Sequence, residues 1–235
     1  MHKTLVMFLL CLAGALLNIS LNKLSLIAGL PLYLDTVLTI TITLLGGLFW
    51  GALCGTFTNL IGHSIWFWGW EGYLFILCNI ATAFVTWLFI CIFPRELSLA
   101  FRYSPSAAKT AQPVSAVFKS QRLGTLIDRM VVLILLAFSL CLAMSLLGGL
   151  LASLIHMIIS SSADGLSVNP ASESLSLIMF PQNLPVILVE ILSRIPINIV
   201  DRLISAFGGY GIALVCVSFF ANQQPSHNSR QGLLK

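Results

Sequence analysis

Among the polar or ionisable side chains that interrupt the apolar stretches of this 235-residue chain are Asn59, His63, Glu71, Asn79, Glu190, Asn198 and Asp201. Such groups are costly in lipid and turn toward protein or a watery site. Gly47, Gly51, Gly55, Asn59 and His63 recur every four residues, near one face of a helix over successive turns. The glycines make a doubled G-x-x-x-G, which lets another backbone approach closely. Two readings of this face stand side by side. It packs tightly at its inner end and opens to a polar site at its outer end, or Gly47 belongs only to a turn and Asn59 merely bonds a neighbouring helix. Trp66, Trp68, Trp70 and Glu71 follow. Tryptophans gather at membrane interfaces; the same run could stack on a flat heterocycle, with Glu71 meeting a cation or a hydrogen-bond donor. At 1.5 Å rise per residue, Asn79 lies ~12 Å below Glu71 and Asn59 ~10 Å below Trp66, so the two amides can meet at one level. Glu190 and Arg194 form an i,i+4 pair. Pro196 is expected to break the helix there and free backbone groups for a ligand or water, just ahead of Asn198, Asp201 and Arg202. Asp35 opens the second apolar run and need do no more than start that helix.

The chemistry that is absent narrows the options. No G-x-x-x-x-G-K-[ST], H-E-x-x-H or G-x-S-x-G occurs, so no P-loop, common zinc-protease motif or serine-hydrolase elbow is present. Ser153 and His156 lie three apart without a nucleophile motif around them. No catalytic residue is assigned, and binding or transport is the better expectation. The six cysteines (Cys11, Cys54, Cys78, Cys91, Cys141, Cys216) sit in apolar stretches without a C-x-x-C pair. They read as packing residues with free thiols; no metal or cofactor is expected.

The elements that must position these residues follow from composition. Hydrophobic residues make up 58%, charged residues 9%, and mean hydropathy is +0.98. Soluble domains carry roughly 25% charged residues, so this chain could not cover its exterior in water. At roughly 20 residues per crossing there is room for about six spans. They are expected near 4–19, 33–48, 50–67, 72–93, 129–159 and 197–220, with a basic cytoplasmic loop over 94–128 and an external loop over 160–183. A polar connection is expected from Asn18 to Leu34, and a short amphipathic piece from Leu184 to Ile195. The run Met130 to Ile159 exceeds a ~30 Å core and must tilt, bend near Gly148-Gly149 or project. The first run, with Lys3 before it and the small residues Ala13-Gly14-Ala15 toward its end, imitates a signal peptide, but a multi-span protein needs none. Six spans put both termini on one side. With that side cytoplasmic, nine basic residues lie inside (Lys3, Arg95, Arg102, Lys109, Lys119, Arg122, Arg129, Arg230, Lys235) and three outside (Lys23, Arg194, Arg202). That follows the positive-inside rule. The expected fold is an all-α six-helix bundle in the cell membrane with cytoplasmic termini and its polar cluster in the outer leaflet. The +4 net charge is then no sign of nucleic acid.

Three segments carry a family resemblance. Pro31-Leu-Tyr-Leu-Asp35-Thr36, Leu45-Gly-Gly-Leu-Phe-Trp50-Gly51-Ala52-Leu-Cys-Gly55 with Thr58-Asn59-Leu-Ile-Gly62, and Pro196-Ile-Asn198-Ile-Val-Asp201-Arg202-Leu-Ile-Ser resemble the substrate-binding S components of energy-coupling-factor (ECF) transporters. The resemblance implies capture of a water-soluble vitamin or similar micronutrient from outside. It also implies partners: a transmembrane coupling protein carrying two cytoplasmic ATPases. In that family, small residues four apart on the first span dock the coupling protein; Cys11 and Ala15 are the nearest equivalent here, with Gly47, Gly51 and Gly55 as packing residues. The expected substrate contacts are Asn59, His63, Trp66, Trp68, Trp70, Glu71, Asn79, Glu190, Arg194, Asn198 and Asp201. Three tryptophans suit any planar ring, and Glu71 favours a cationic or donor-rich one such as thiamin; riboflavin and pyridoxine-like compounds stay open. The alternative is a membrane sensor or scaffold without transport activity, and a membrane-embedded enzyme comes third.

Overall fold

The computed structural model describes residues 2–66, 70–97, 117–160 and 184–222. Every regular element among them is helical. In chain order these are α1 (His2–Ile27), α2 (Val37–Gly46), α3 (Leu48–Trp66), a 3-10 turn (Trp70–Phe75) running into α4 (Ile76–Ile92), the single turn α5 (Pro94–Leu97), α6 (Val117–Ser160) and α7 (Val186–Asn222). Four segments are long and apolar enough to cross a membrane: Thr4–Ile27, Gly72–Ile92, Leu126–Ile158 and Val186–Phe219. They expose Leu5, Leu17, Ile92, Leu142 and Val215 on their outer faces, as lipid contact requires. The chain is built as a multi-pass membrane protein.

Several element bounds differ from the sequence expectation, each for a physical reason. α1 runs through Asn18 to Ile27, where a polar connection was expected. Asn18, Asn22 and Ser25 lie on one face of the helix and bond inward, so they lengthen α1 rather than end it. α7 passes unbroken through Pro196, which overturns the expected break and the separate piece over 184–195. Arg194, Asn198, Asp201, Arg202 and Ser205 are all buried and share one face, and keeping that face in register favours a continuous helix. α6 reaches back to Val117, into the segment expected as a loop, and passes Gly148-Gly149 without interruption. Those glycines serve proximity instead. A Cβ on Gly149 would stand 2.9 Å from the Ile191 Cα, so α6 and α7 meet backbone to backbone. Residues 98–116 and 161–183, and with them most of both expected loops, lie outside the described residues.

α2 is the hub, packing against α1, α3, α4 and α7. Its residues from Val37 to Leu44 are all buried. Thr41 and Thr43 turn their hydroxyls back to the Val37 and Thr39 carbonyls at 3.0 and 2.7 Å, which hides them from lipid. At 10 residues, α2 rises only ~15 Å, about half a bilayer core. The non-helical strap over 28–36 supplies the rest of the path. Its backbone groups are satisfied from the helices around it, as irregular backbone at membrane depth requires. Ser25 Oγ donates to the Leu32 carbonyl at 2.8 Å and Asn22 Nδ2 to the Tyr33 carbonyl at 2.7 Å. Beyond α2 the chain reverses on Gly47 alone, at φ +84, a left-handed conformation suited to glycine. The apolar core forms where Ile40 of α2 packs with Leu97, Leu136, Leu140 and Ala206.

Candidate binding site

The strap ends against α7. The Tyr33 and Leu34 N–H groups donate to Asp201 Oδ1 at 3.1 and 2.8 Å. This holds Leu34 at φ 48, the one non-glycine residue with positive φ among those described. The other Asp201 oxygen, Oδ2, faces Arg202 Nη2 at 3.1 Å. The same Nη2 lies 4.0 Å from Asp35 Oδ1, and Arg202 Nη1 donates to Thr36 Oγ1. One guanidinium thus serves two carboxylates and the hydroxyl that precedes α2. Because Thr36 is engaged sideways, its hydroxyl does not cap α2. Asn18 Oδ1 takes the Leu38 N–H at 2.9 Å instead, an N-cap supplied by another helix.

From Asp35 a chain of hydrogen bonds crosses the bundle. Asn79 Nδ2 donates to Asp35 Oδ2 at 3.3 Å, and Thr39 Oγ1 donates to Asn79 Oδ1 at 3.5 Å. Asn18 Nδ2 donates to Thr39 Oγ1 at 3.3 Å and to Thr58 Oγ1 at 3.2 Å. On the same face of α7, Asn198 Nδ2 donates to Ser145 Oγ of α6 at 2.9 Å. One turn earlier, Arg194 pairs with Glu190 at 3.0 Å. Its stem passes over Gly148, where a Cβ would stand 3.7 Å from Arg194 Cδ and 3.9 Å from Cys78 Sγ. Each of the six longer helices contributes a polar group to this seam.

Of the expected contacts, Asn79, Glu190, Arg194, Asn198 and Asp201 lie along the seam or beside it. Asn59 does not join Asn79, contrary to the expected meeting of the amides; its Nδ2 donates to the Phe75 carbonyl at 2.9 Å. The reason is helix register. α3 and α4 run antiparallel, with Gly55 against Asn79, Asn59 against Phe75 and His63 against Gly72. A Cβ on Gly55 would sit 2.8 Å from the Asn79 Cβ, and one on Gly51 would overlap Thr43. Gly47 lies in the turn, and nothing comes within 4 Å of where its Cβ would be. His63 stacks edge-on with Tyr73 at 5.7 Å between centroids. Trp66 closes α3, Trp70 and Glu71 open the 3-10 turn, and Trp68 lies outside the described residues. On the first helix, Cys11 and Ala15 are fully buried, and Cys11 Sγ donates to the Trp50 carbonyl at 3.3 Å. They therefore pack inside this chain.

The expected contacts did not include Tyr33, Asp35, Thr36 or Arg202, which form the centre of the seam. The available signal was charge. An aspartate opening one apolar run and an arginine inside another are costly apart and compensate each other when joined. The Tyr33 hydroxyl and the Cys78 thiol lie within electrostatic range of Asp35, Arg194 and Arg202. Tyr33 Oη, Asp35 Oδ1 and Arg202 Nε are buried without a hydrogen-bond partner in the structure. Among the described residues, no three His, Cys, Asp or Glu side chains converge as a metal site. No family model, curated protein or solved structure matches the chain.

Proposed function

We propose that the chain is the substrate-capture subunit of an ECF-type importer in the cell membrane. It takes a small water-soluble solute, of the size of thiamin, riboflavin or pyridoxine, from outside. A transmembrane coupling protein with two cytoplasmic ATPases then drives release inward, since no P-loop occurs in the chain itself. The chain makes six crossings with both ends cytoplasmic. The observation that carries this reading is the Asp35–Arg202–Asp201 ionic group within an apolar helix bundle. Charges at such a position are costly and mark a binding or transport path by default. The unpartnered oxygens at Tyr33 and Asp35 give a polar solute groups to bond. Resemblance in the Asp35, Gly51–Gly55 and Asp201–Arg202 segments supports the same assignment.

A membrane scaffold or sensor is the second reading, favoured by the Thr58–Asn18–Thr39–Asn79 bonds, which link four helices without any ligand. Purification of the tagged chain in mild detergent, with mass spectrometry of retained proteins and small molecules, separates the two. Capture predicts co-elution of two P-loop ATPases and a retained solute. Repeated absence of both overturns the transport reading and leaves the scaffold.

A further inference from the structure

We infer that the captured solute is a small organic cation bearing N–H donors, held by Asp35 and the Tyr33 hydroxyl; this rests on the capture reading above. Charge count at the seam comes first. Three carboxylates (Asp35, Asp201, Glu190) face two guanidiniums (Arg194, Arg202) among the described residues. Glu190 and Arg194 close on each other at 3.0 Å. Arg202 lies 3.1 Å from Asp201 and 4.0 Å from Asp35, so Asp35 is the carboxylate left undercompensated. It is also the most exposed of the three. Its side chain is 24% exposed, against 17% for Glu190 and 0% for Asp201, although its Oδ1 is itself buried and a solute must part the strap to reach it.

The free atoms define the partner. Asn79 occupies Asp35 Oδ2, whereas Oδ1 has an ionic neighbour but no hydrogen bond. A protonated amine or amidine supplies both missing elements, a positive charge and a directed N–H, and charge-assisted bonds of this kind are the strong ones. The Tyr33 hydroxyl, buried, without a partner and within range of Asp35 and Arg202, bonds a second polar atom of the same solute. A metal ion would need three or more converging ligands, and no such group is present among the described residues. An anionic solute would add to the carboxylate excess.

The test is equilibrium dialysis of the full chain in nanodiscs against the low-molecular-weight fraction of yeast extract at pH 7, read by mass spectrometry. Enrichment of a compound that is positively charged at pH 7 is expected. Asp35→Asn should reduce that enrichment at least tenfold and Tyr33→Phe several-fold, each with an unchanged helical circular dichroism spectrum. Tyr33→Phe removes only one hydroxyl, so it remains decisive if Asp35→Asn does not fold. Enrichment of a neutral or anionic compound overturns the inference and leaves the capture reading standing. So does an enriched cation indifferent to both substitutions. No enrichment of any compound defeats the capture reading itself.

Discussion

At the scale of single residues, Asp201 does two things that no other residue at the seam combines. It fixes the strap through the Tyr33 and Leu34 amides and neutralises Arg202. Removing one partner of a buried charge pair costs about 3–5 kcal/mol, because the other charge is left without compensation. Asp201→Ala leaves Arg202 only the 4.0 Å contact with Asp35 and leaves the Tyr33 and Leu34 amides without their acceptor, so it should destabilise the protein by about that amount, with its thermal unfolding in detergent shifted far below wild type. Val200→Ala, on the exposed face one residue earlier, should stay within about 0.5 kcal/mol. Equal melting curves for the two variants would refute the role given to Asp201. Asn18 makes a parallel case among neutral groups. Its amide caps Leu38 and bonds Thr39 and Thr58. Asn18→Ala leaves those groups unsatisfied at a cost of about 1–3 kcal/mol, and a melt matching wild type would show that water or a rearranged neighbour replaces it.

At the scale of elements, the glycines divide by what stands opposite them. Gly51 and Gly55 let α3 lie against Thr43 of α2 and Asn79 of α4; Gly211, on α7, has nothing within 4 Å. Gly51→Ala should destabilise by about 1–3 kcal/mol through overpacking. Gly211→Ala should be neutral or gain up to about 1 kcal/mol, from helix propensity. Chemical denaturation of both variants in detergent checks the pair, and a stabilising Gly51→Ala would refute the close approach. The four-residue spacing made this face legible in the sequence, because a G-x-x-x-G stripe has few uses other than proximity. Helical class and the four long apolar spans were legible for the same kind of reason: composition and period suffice. What was not legible depended on partners. Asn22 and Ser25 look like a loop until the strap that they bond is in place, and Asn18 until α2 and α3 stand beside it. Pro196 looks like a break until the buried face from Arg194 to Ser205 is seen to run through it. Asp35 and Arg202 are 167 residues apart in sequence (202 − 35), and no local pattern announces that they meet.

For the whole molecule, helix lengths set the depth of the site. From the turn at Gly47, α2 climbs ~15 Å and the 19-residue α3 climbs ~28 Å. The strap and Asp35 therefore begin ~13 Å below the far end of α3, level with Asn79, to which Asp35 is bonded. Asp35 thus lies slightly nearer that end than the Gly47 turn, and which side of the membrane that end faces depends on orientation. The charges of α6 bear on that most directly. Lys119, Arg122 and Arg129 lie in its first 13 residues, and no Lys or Arg follows before Arg194. Its 44 residues span ~66 Å, about twice a ~30 Å core, so the basic end projects into the aqueous phase even with an ordinary tilt. Burial of Arg194 and Arg202 on the inner face of α7 takes them out of the outer set and leaves Lys23 as its one basic residue, a larger imbalance for the positive-inside rule to read. With a membrane-impermeant maleimide and a cysteine-free background, Asp164→Cys should label on intact cells and Lys119→Cys only after permeabilisation. The reverse pattern would place Asp35 toward the cytoplasm and rule out capture from outside. Labelling of both on intact cells would mean that α6 does not cross at all.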